Sequence, residues 1–131
     1  MIKQNYVRIQ VRDKGSTGKP IGVIGACWKI HNEGKLSEED QELFLKLEKW
    51  FTSLLPEPPF YKEGNPQKAI CYFKVDGAEK MLERITPLMY LLGKYEYEYD
   101  VVYTNYIGKI IYEDEYQVAV IDEKNRMSKN M

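Results

Sequence analysis

One histidine, His31, and two cysteines, Cys27 and Cys71, are all that 131 residues offer for chemistry that needs an imidazole or a thiol. The cysteines form no C-x-x-C pair, so neither a disulfide framework nor a zinc site is indicated, and no metal or cofactor is expected. No apolar run approaches the roughly 20 residues that cross a bilayer. The opening Met1-Ile2-Lys3-Gln4-Asn5-Tyr6 lacks the apolar stretch of a signal peptide, which predicts a cytoplasmic protein that does not engage a membrane. No internal repeat, low-complexity tract or linker divides the chain. A formal net charge of −1 gives no general reason to expect a nucleic-acid binder.

What is present belongs to an ordinary folded domain. Hydrophobic residues make up 44% of the chain and charged residues 30%, so there is enough apolar material for one core. We read residues 1–122 as a single domain and 123–131 as a polar C-terminal tail. The charge is unevenly placed. Residues 1–20 carry Lys3, Arg8, Arg12, Lys14 and Lys19 against Asp13 alone, whereas residues 96–122 carry seven carboxylates against Lys109. Eight of the eleven tyrosines fall between Tyr90 and Tyr116.

Tyr6 to Arg12 alternates apolar and polar side chains, the period of a strand with one buried face, with Arg8, Gln10 and Arg12 expected to face water. A Gly-rich connection follows. Pro20 suits the first turn of a helix, and residues 20–32 fit a helical stripe moderately well, although Gly22 and Gly25 keep a strand open as the alternative. Ser37-Glu38-Glu39-Asp40 reads as a capped, acidic helix start. Leu43, Phe44, Leu47, Trp50, Phe51 and Leu54 then recur every three or four residues, an amphipathic helix ended by Pro56, Pro58 and Pro59. The patternless segment beyond is long for a small domain, and long loops are enriched in function. Ala69 to Val75 reads as a buried strand. A third helix carries Met81, Ile85, Leu88 and Leu92, with Pro87 predicting a kink or break. Tyr95 to Tyr103 reads as a strand with tyrosines on one face and carboxylates on the other, and the segments 109–112 and 116–121 as a hairpin.

This order predicts an α+β fold: a largely antiparallel sheet of about five strands with three helices mainly on one face. At Ala69-Ile70-Cys71-Tyr72-Phe73-Lys74 and across Gly108 to Val118 the chain resembles a family of small uncharacterised bacterial single-domain proteins. The Trp50-Phe51 helix and the Pro-rich turn belong to the same resemblance. It implies no activity and assigns no residue a role.

Few residues suggest chemistry. Gly15-Ser16-Thr17-Gly18-Lys19-Pro20 could cradle a phosphate, but Asp13 stands where a Walker motif needs its first glycine and Pro20 replaces its hydroxyl. Cys27 and His31 would share a helical face, yet Ile24 and Trp28 favour a plain core thiol, with His31 facing solvent near the helix end. The turn Glu113-Asp114-Glu115 has the wrong spacing for a hard cation and reads as a solvated turn. No catalytic residue is assigned.

The preferred expectation is a non-enzymatic binder of another macromolecule, of the inhibitor, antitoxin or regulator type. Its site would be the row Tyr95, Tyr97 and Tyr99 with Glu96, Glu98 and Asp100, facing a protein with a basic surface, or a second copy in a homodimer. The alternative is an enzyme or binder of a phosphorylated or nucleotide ligand that uses Arg8, Arg12, Lys14, Lys19 and His31. A third reading, single-stranded nucleic acid on the tyrosines, is disfavoured by the neighbouring carboxylates.

Overall fold

The computed structural model describes residues 4–15, 18–76 and 79–122. The expected polar tail, 123–131, lies outside them. Strand β1 (Tyr6–Lys14) is followed by the short strand β2 (Pro20–Gly22) and helices α1 (Val23–Asn32) and α2 (Glu38–Leu54). After a 3-10 turn at Pro59–Glu63 come β3 (Ile70–Lys74), α3 (Glu79–Lys94), β4 (Tyr99–Thr104), β5 (Lys109–Glu113) and β6 (Gln117–Ile121). All six strands pair antiparallel in one sheet, an α+β fold as the sequence predicts. No helix among the described residues is long and apolar enough to cross a membrane.

The alternation in β1 places Val7, Ile9 and Val11 in the core, against Ala26, Cys27 and Ile30 of α1 and Ile85, Leu88 and Leu92 of α3. Helix α2 adds Phe44, Leu47 and Phe51 and starts where expected, with the Ser37 hydroxyl accepting the Asp40 N–H at 3.2 Å. Helix α3 runs through Pro87 without dividing in two. Its buried stripe holds the helix while the one missing donor leaves the Glu83 carbonyl without its usual partner. Segment 20–32 resolves both ways: Pro20 opens a three-residue strand rather than a helix, and helix begins only at Val23.

Two expectations need correction. Arg8 does not face water: it is 8% exposed. The strand foreseen from Tyr95 starts at Tyr99, because the chain first has to leave α3. The Tyr97 N–H bonds the Leu92 carbonyl at 2.9 Å and the Glu96 N–H bonds that of Gly93 at 3.1 Å, with Glu96 at φ 65°. This paired closure is a Schellman motif, and it turns the backbone left-handed in the middle of the supposed alternation.

The sheet is split along one edge of β1. Strand β4 pairs with β1 continuously from Tyr6↔Thr104 to Val11↔Tyr99, filling one edge. The other edge is shared: β3 takes Tyr6 and Val7, while β2 takes Gln10 and Lys14. Between them Arg8 and Ile9 have no strand neighbour on that side, and the cleft lies there.

Candidate ligand-binding cleft

Two diverging strands leave a wedge, and Arg8 fills its floor. Its Nη1 donates to the Cys71 carbonyl of β3 at 2.7 Å, its Nη2 to the Pro20 carbonyl before α1 at 2.8 Å, and its Nε to Gln10 Oε1 at 3.0 Å. A planar fork can bridge two strands in this way where a lysine ammonium cannot. Three of its five N–H donors are thereby used. The guanidinium makes no salt bridge to any described residue. Burial pulls its pKa below the ordinary arginine value. A buried cation with no counter-ion is costly, because hydrogen bonds to neutral carbonyls do not balance its charge.

Helix α1 starts beside that cation. Its N-cap is Gly22, whose side chain cannot cap, and its first turn holds no acidic residue. The free amides of that turn carry the positive end of the helix dipole. Glycine at 22 also permits the approach, since a Cβ there would lie 3.3 Å from Arg8 Nη1. Two positive features thus meet at one point, and no carboxylate among the described residues pairs with the guanidinium.

Around this point opens a cleft of about 630 Å³, within the usual range for small-molecule sites. Its apolar wall comes from Ile21, Ile24, Trp28, Leu55 and Phe73, and its polar groups from Arg8, Lys19, Tyr61, Asn65, Cys71 and Gln117. The long loop after α2 supplies one side. It is built rather than slack: Gly64, at φ 80°, closes the 3-10 turn, and the Asn65 amide bonds both backbone groups of Ala69 at 2.9 Å. The Tyr61 hydroxyl lies 3.2 Å from Cys71 Sγ. Burial raises both the Tyr61 and the Cys71 pKa. Raised pKa values make both poor nucleophiles near neutrality.

Only part of the basic set foreseen from sequence gathers here. Arg8 and Lys19 line the cleft, with Gly15 beside them. Arg12 instead bonds Glu98 and lies 3.6 Å from Asp100, across the β1–β4 ladder. Lys14 is exposed and is not part of the wall. His31 does not face solvent as expected: its ring packs on Trp28 and Phe44, and its Nδ1 is buried without a hydrogen-bond partner. The Cys27–His31 pair does not form. Cys27 is 1% exposed, its Sγ lies 3.9 Å from the Leu88 carbonyl, and burial pushes its pKa up to about 12.

The tyrosine row is not a sheet face. Tyr95 and Tyr97 precede β4, and both pack with Tyr99 against the core. Glu96 sits in the turn, while Glu98 and Asp100 lie beside Arg12. The opposite charges of the two chain ends are therefore partly matched on adjacent strands. The exposed apolar side chains of this edge are Val101, Tyr103 and, beyond the strand, Tyr106. Sequence reasoning missed Trp28, Tyr61, Cys71 and Gln117 as cleft residues; the one signal was the length of the loop carrying Tyr61. Among the described residues no group of three or more His, Cys, Asp or Glu is placed to hold a metal ion. Comparison with protein-family models, with curated proteins and with solved structures finds no match to this chain.

Proposed function

We propose that this protein binds a small anionic molecule in the split of its sheet, the anion seated between Arg8 and the N-terminus of α1. The observation that carries this is the buried Arg8 guanidinium, without a counter-ion among the described residues, at the floor of an open cleft. A ligand carboxylate or phosphate supplies the missing charge and accepts the remaining N–H donors. Lys19, on the wall, adds to the field. The test is thermal unfolding with phosphate and carboxylate compounds. A bound anion at a hundred times its Kd stabilises the fold by about 2.7 kcal/mol, and Arg8→Gln removes the response. Wild type that no anion stabilises would sink the proposal.

A second reading keeps the macromolecular partner. Val101, Tyr103 and Tyr106 are exposed at 42, 51 and 93% along and just beyond an edge strand, the surface on which an inhibitor, antitoxin or regulator would seat another protein. Glu96, Glu98 and Asp100 would favour a basic partner, although Arg12 already answers two of these charges. A pull-down with and without nuclease separates a protein partner from nucleic acid, and charge reversal at the three carboxylates should weaken a protein complex.

A further inference from the structure

We infer that the ligand is a hydrophobic monocarboxylate without an amine, such as a fatty or arylalkanoic acid; this rests on the anion reading above and names the class of ligand. Charge sets the head group. The cleft lining holds Arg8 and Lys19 and, among the described residues, no Asp or Glu. Bonds to Cys71, Pro20 and Gln10 take three of the five N–H donors of the Arg8 guanidinium, which leaves two. A carboxylate brings one charge and two oxygens and matches what is left. A phosphate monoester brings nearly two charges and three terminal oxygens, more than one buried guanidinium answers. An α-amino acid adds an ammonium, which would meet Arg8 and the positive end of α1 with no carboxylate to receive it.

The wall selects the rest of the molecule. Ile21, Ile24, Trp28, Leu55 and Phe73 pack on the core and also line the cleft. All five are half-buried, so each keeps apolar surface that a ligand can cover. Ile21, Ile24 and Trp28 recur at helical spacing and follow one side of α1 away from its N-terminus. From Gly22 to Trp28 the helix advances by about 9 Å. Trp28 closes that stripe and is itself braced, edge-on to Phe44 and His31 at 5.0 and 5.4 Å between ring centroids. Leu55, after α2, and Phe73, on β3, face the same space. Several polar groups of the lining are already engaged: Asn65 with Ala69, Tyr61 with Cys71, and Gln117 Nε2 with Pro56 and Asp114. They offer little to a sugar or polyol. A molecule with its carboxylate at Arg8 and Gly22 therefore lays a hydrocarbon body along α1.

The test is calorimetry on the full chain with straight-chain carboxylates from butanoate to decanoate, below their micelle concentrations, beside octanol, octylamine, 2-aminooctanoate, octyl phosphate and inorganic phosphate. Affinity should rise about three- to fourfold with each added methylene until the chain outgrows the stripe. Octanoate should bind at least about tenfold tighter than octanol, octylamine or 2-aminooctanoate, and octyl phosphate no tighter than octanoate. Ligand-side changes avoid any question of folding, and Ile24→Ala provides a second check by flattening the rise with chain length. Carboxylates whose affinity ignores chain length, or octyl phosphate tighter than octanoate, would overturn the ligand class and leave the anion site standing. Octanol as tight as octanoate would mean an apolar cleft with no anion seat, and both readings would fall. Absence of binding by every phosphate and carboxylate compound would remove the anion site itself.

Discussion

The Tyr95 hydroxyl donates to Asp40 Oδ2 at 2.6 Å, tying the residue after α3 to the first turn of α2. The same hydroxyl accepts the Ser37 N–H at 2.9 Å, and Lys94 Nζ lies 2.8 Å from Asp40 Oδ2. A tyrosine that the sequence offered as a binding residue is thus a clasp between helices. Its loss through Tyr95→Phe should cost roughly 1.5–3 kcal/mol in urea unfolding, the usual range for a hydrogen bond to a charged group.

The clasp also fixes an acid limit. The Lys94 ammonium, followed by the Tyr95 hydroxyl, holds the Asp40 carboxyl below its ordinary range. A depressed folded pKa means that the contribution is complete above the unfolded value of about 3.9 and disappears as pH falls through the folded one. The stability gap between wild type and Asp40→Asn should therefore stay constant from about pH 7 to pH 5 and shrink below about pH 4. A gap that widens on acidification would contradict this origin.

The two thiols should separate cleanly. Cys27 is enclosed and its pKa is near 12, whereas Cys71 is half-buried and lines the cleft. A thiol reagent at mildly alkaline pH should label Cys71 slowly and leave Cys27 untouched until unfolding. A ligand seated on Arg8 should slow the labelling of Cys71 further, as read by mass spectrometry. Equal labelling of both in the native state would refute the burial order.

Backbone handedness gives a pair of opposite outcomes. Glu96 ends α3 in a left-handed conformation that glycine adopts freely, so Glu96→Gly should stabilise by roughly 0.5–1 kcal/mol. Gly108 has φ 90°, and a Cβ there would come within 2.4 Å of the Ile121 carbonyl oxygen. Gly108→Ala should destabilise by more than about 1 kcal/mol, through both strain and collision. Both are read from denaturant midpoints.

Asp114 organises the β5–β6 turn and, through it, the cleft. It accepts the Tyr116 and Gln117 N–H groups, the Tyr112 hydroxyl and Gln117 Nε2. Burial alone would raise its pKa, but the hydrogen bonds together bring it below the ordinary value. Asp114→Ala should cost roughly 3 kcal/mol and loosen Gln117, as read from denaturant midpoints.

The sequence by itself determined the elements whose signals are local. The spacing of Phe44, Leu47 and Phe51 wrote α2, the Ser37 cap and the prolines bounded it, and the alternation of Val7, Ile9 and Val11 chose the inner face of β1. It also singled out the long loop, which lines one side of the cleft. What only the tertiary structure decided is where polar side chains end. Alternation put Arg8 outside, but two strands share one edge of β1 and its guanidinium closes the gap between them. Alternation likewise made a row of Tyr95, Tyr97 and Tyr99, but the left-handed turn at Glu96 broke it. A period of two reports which face a residue takes only where a strand continues and has neighbours on both edges. Where pairing stops or a helix must first close, long-range hydrogen bonds take over, and those are invisible along the chain.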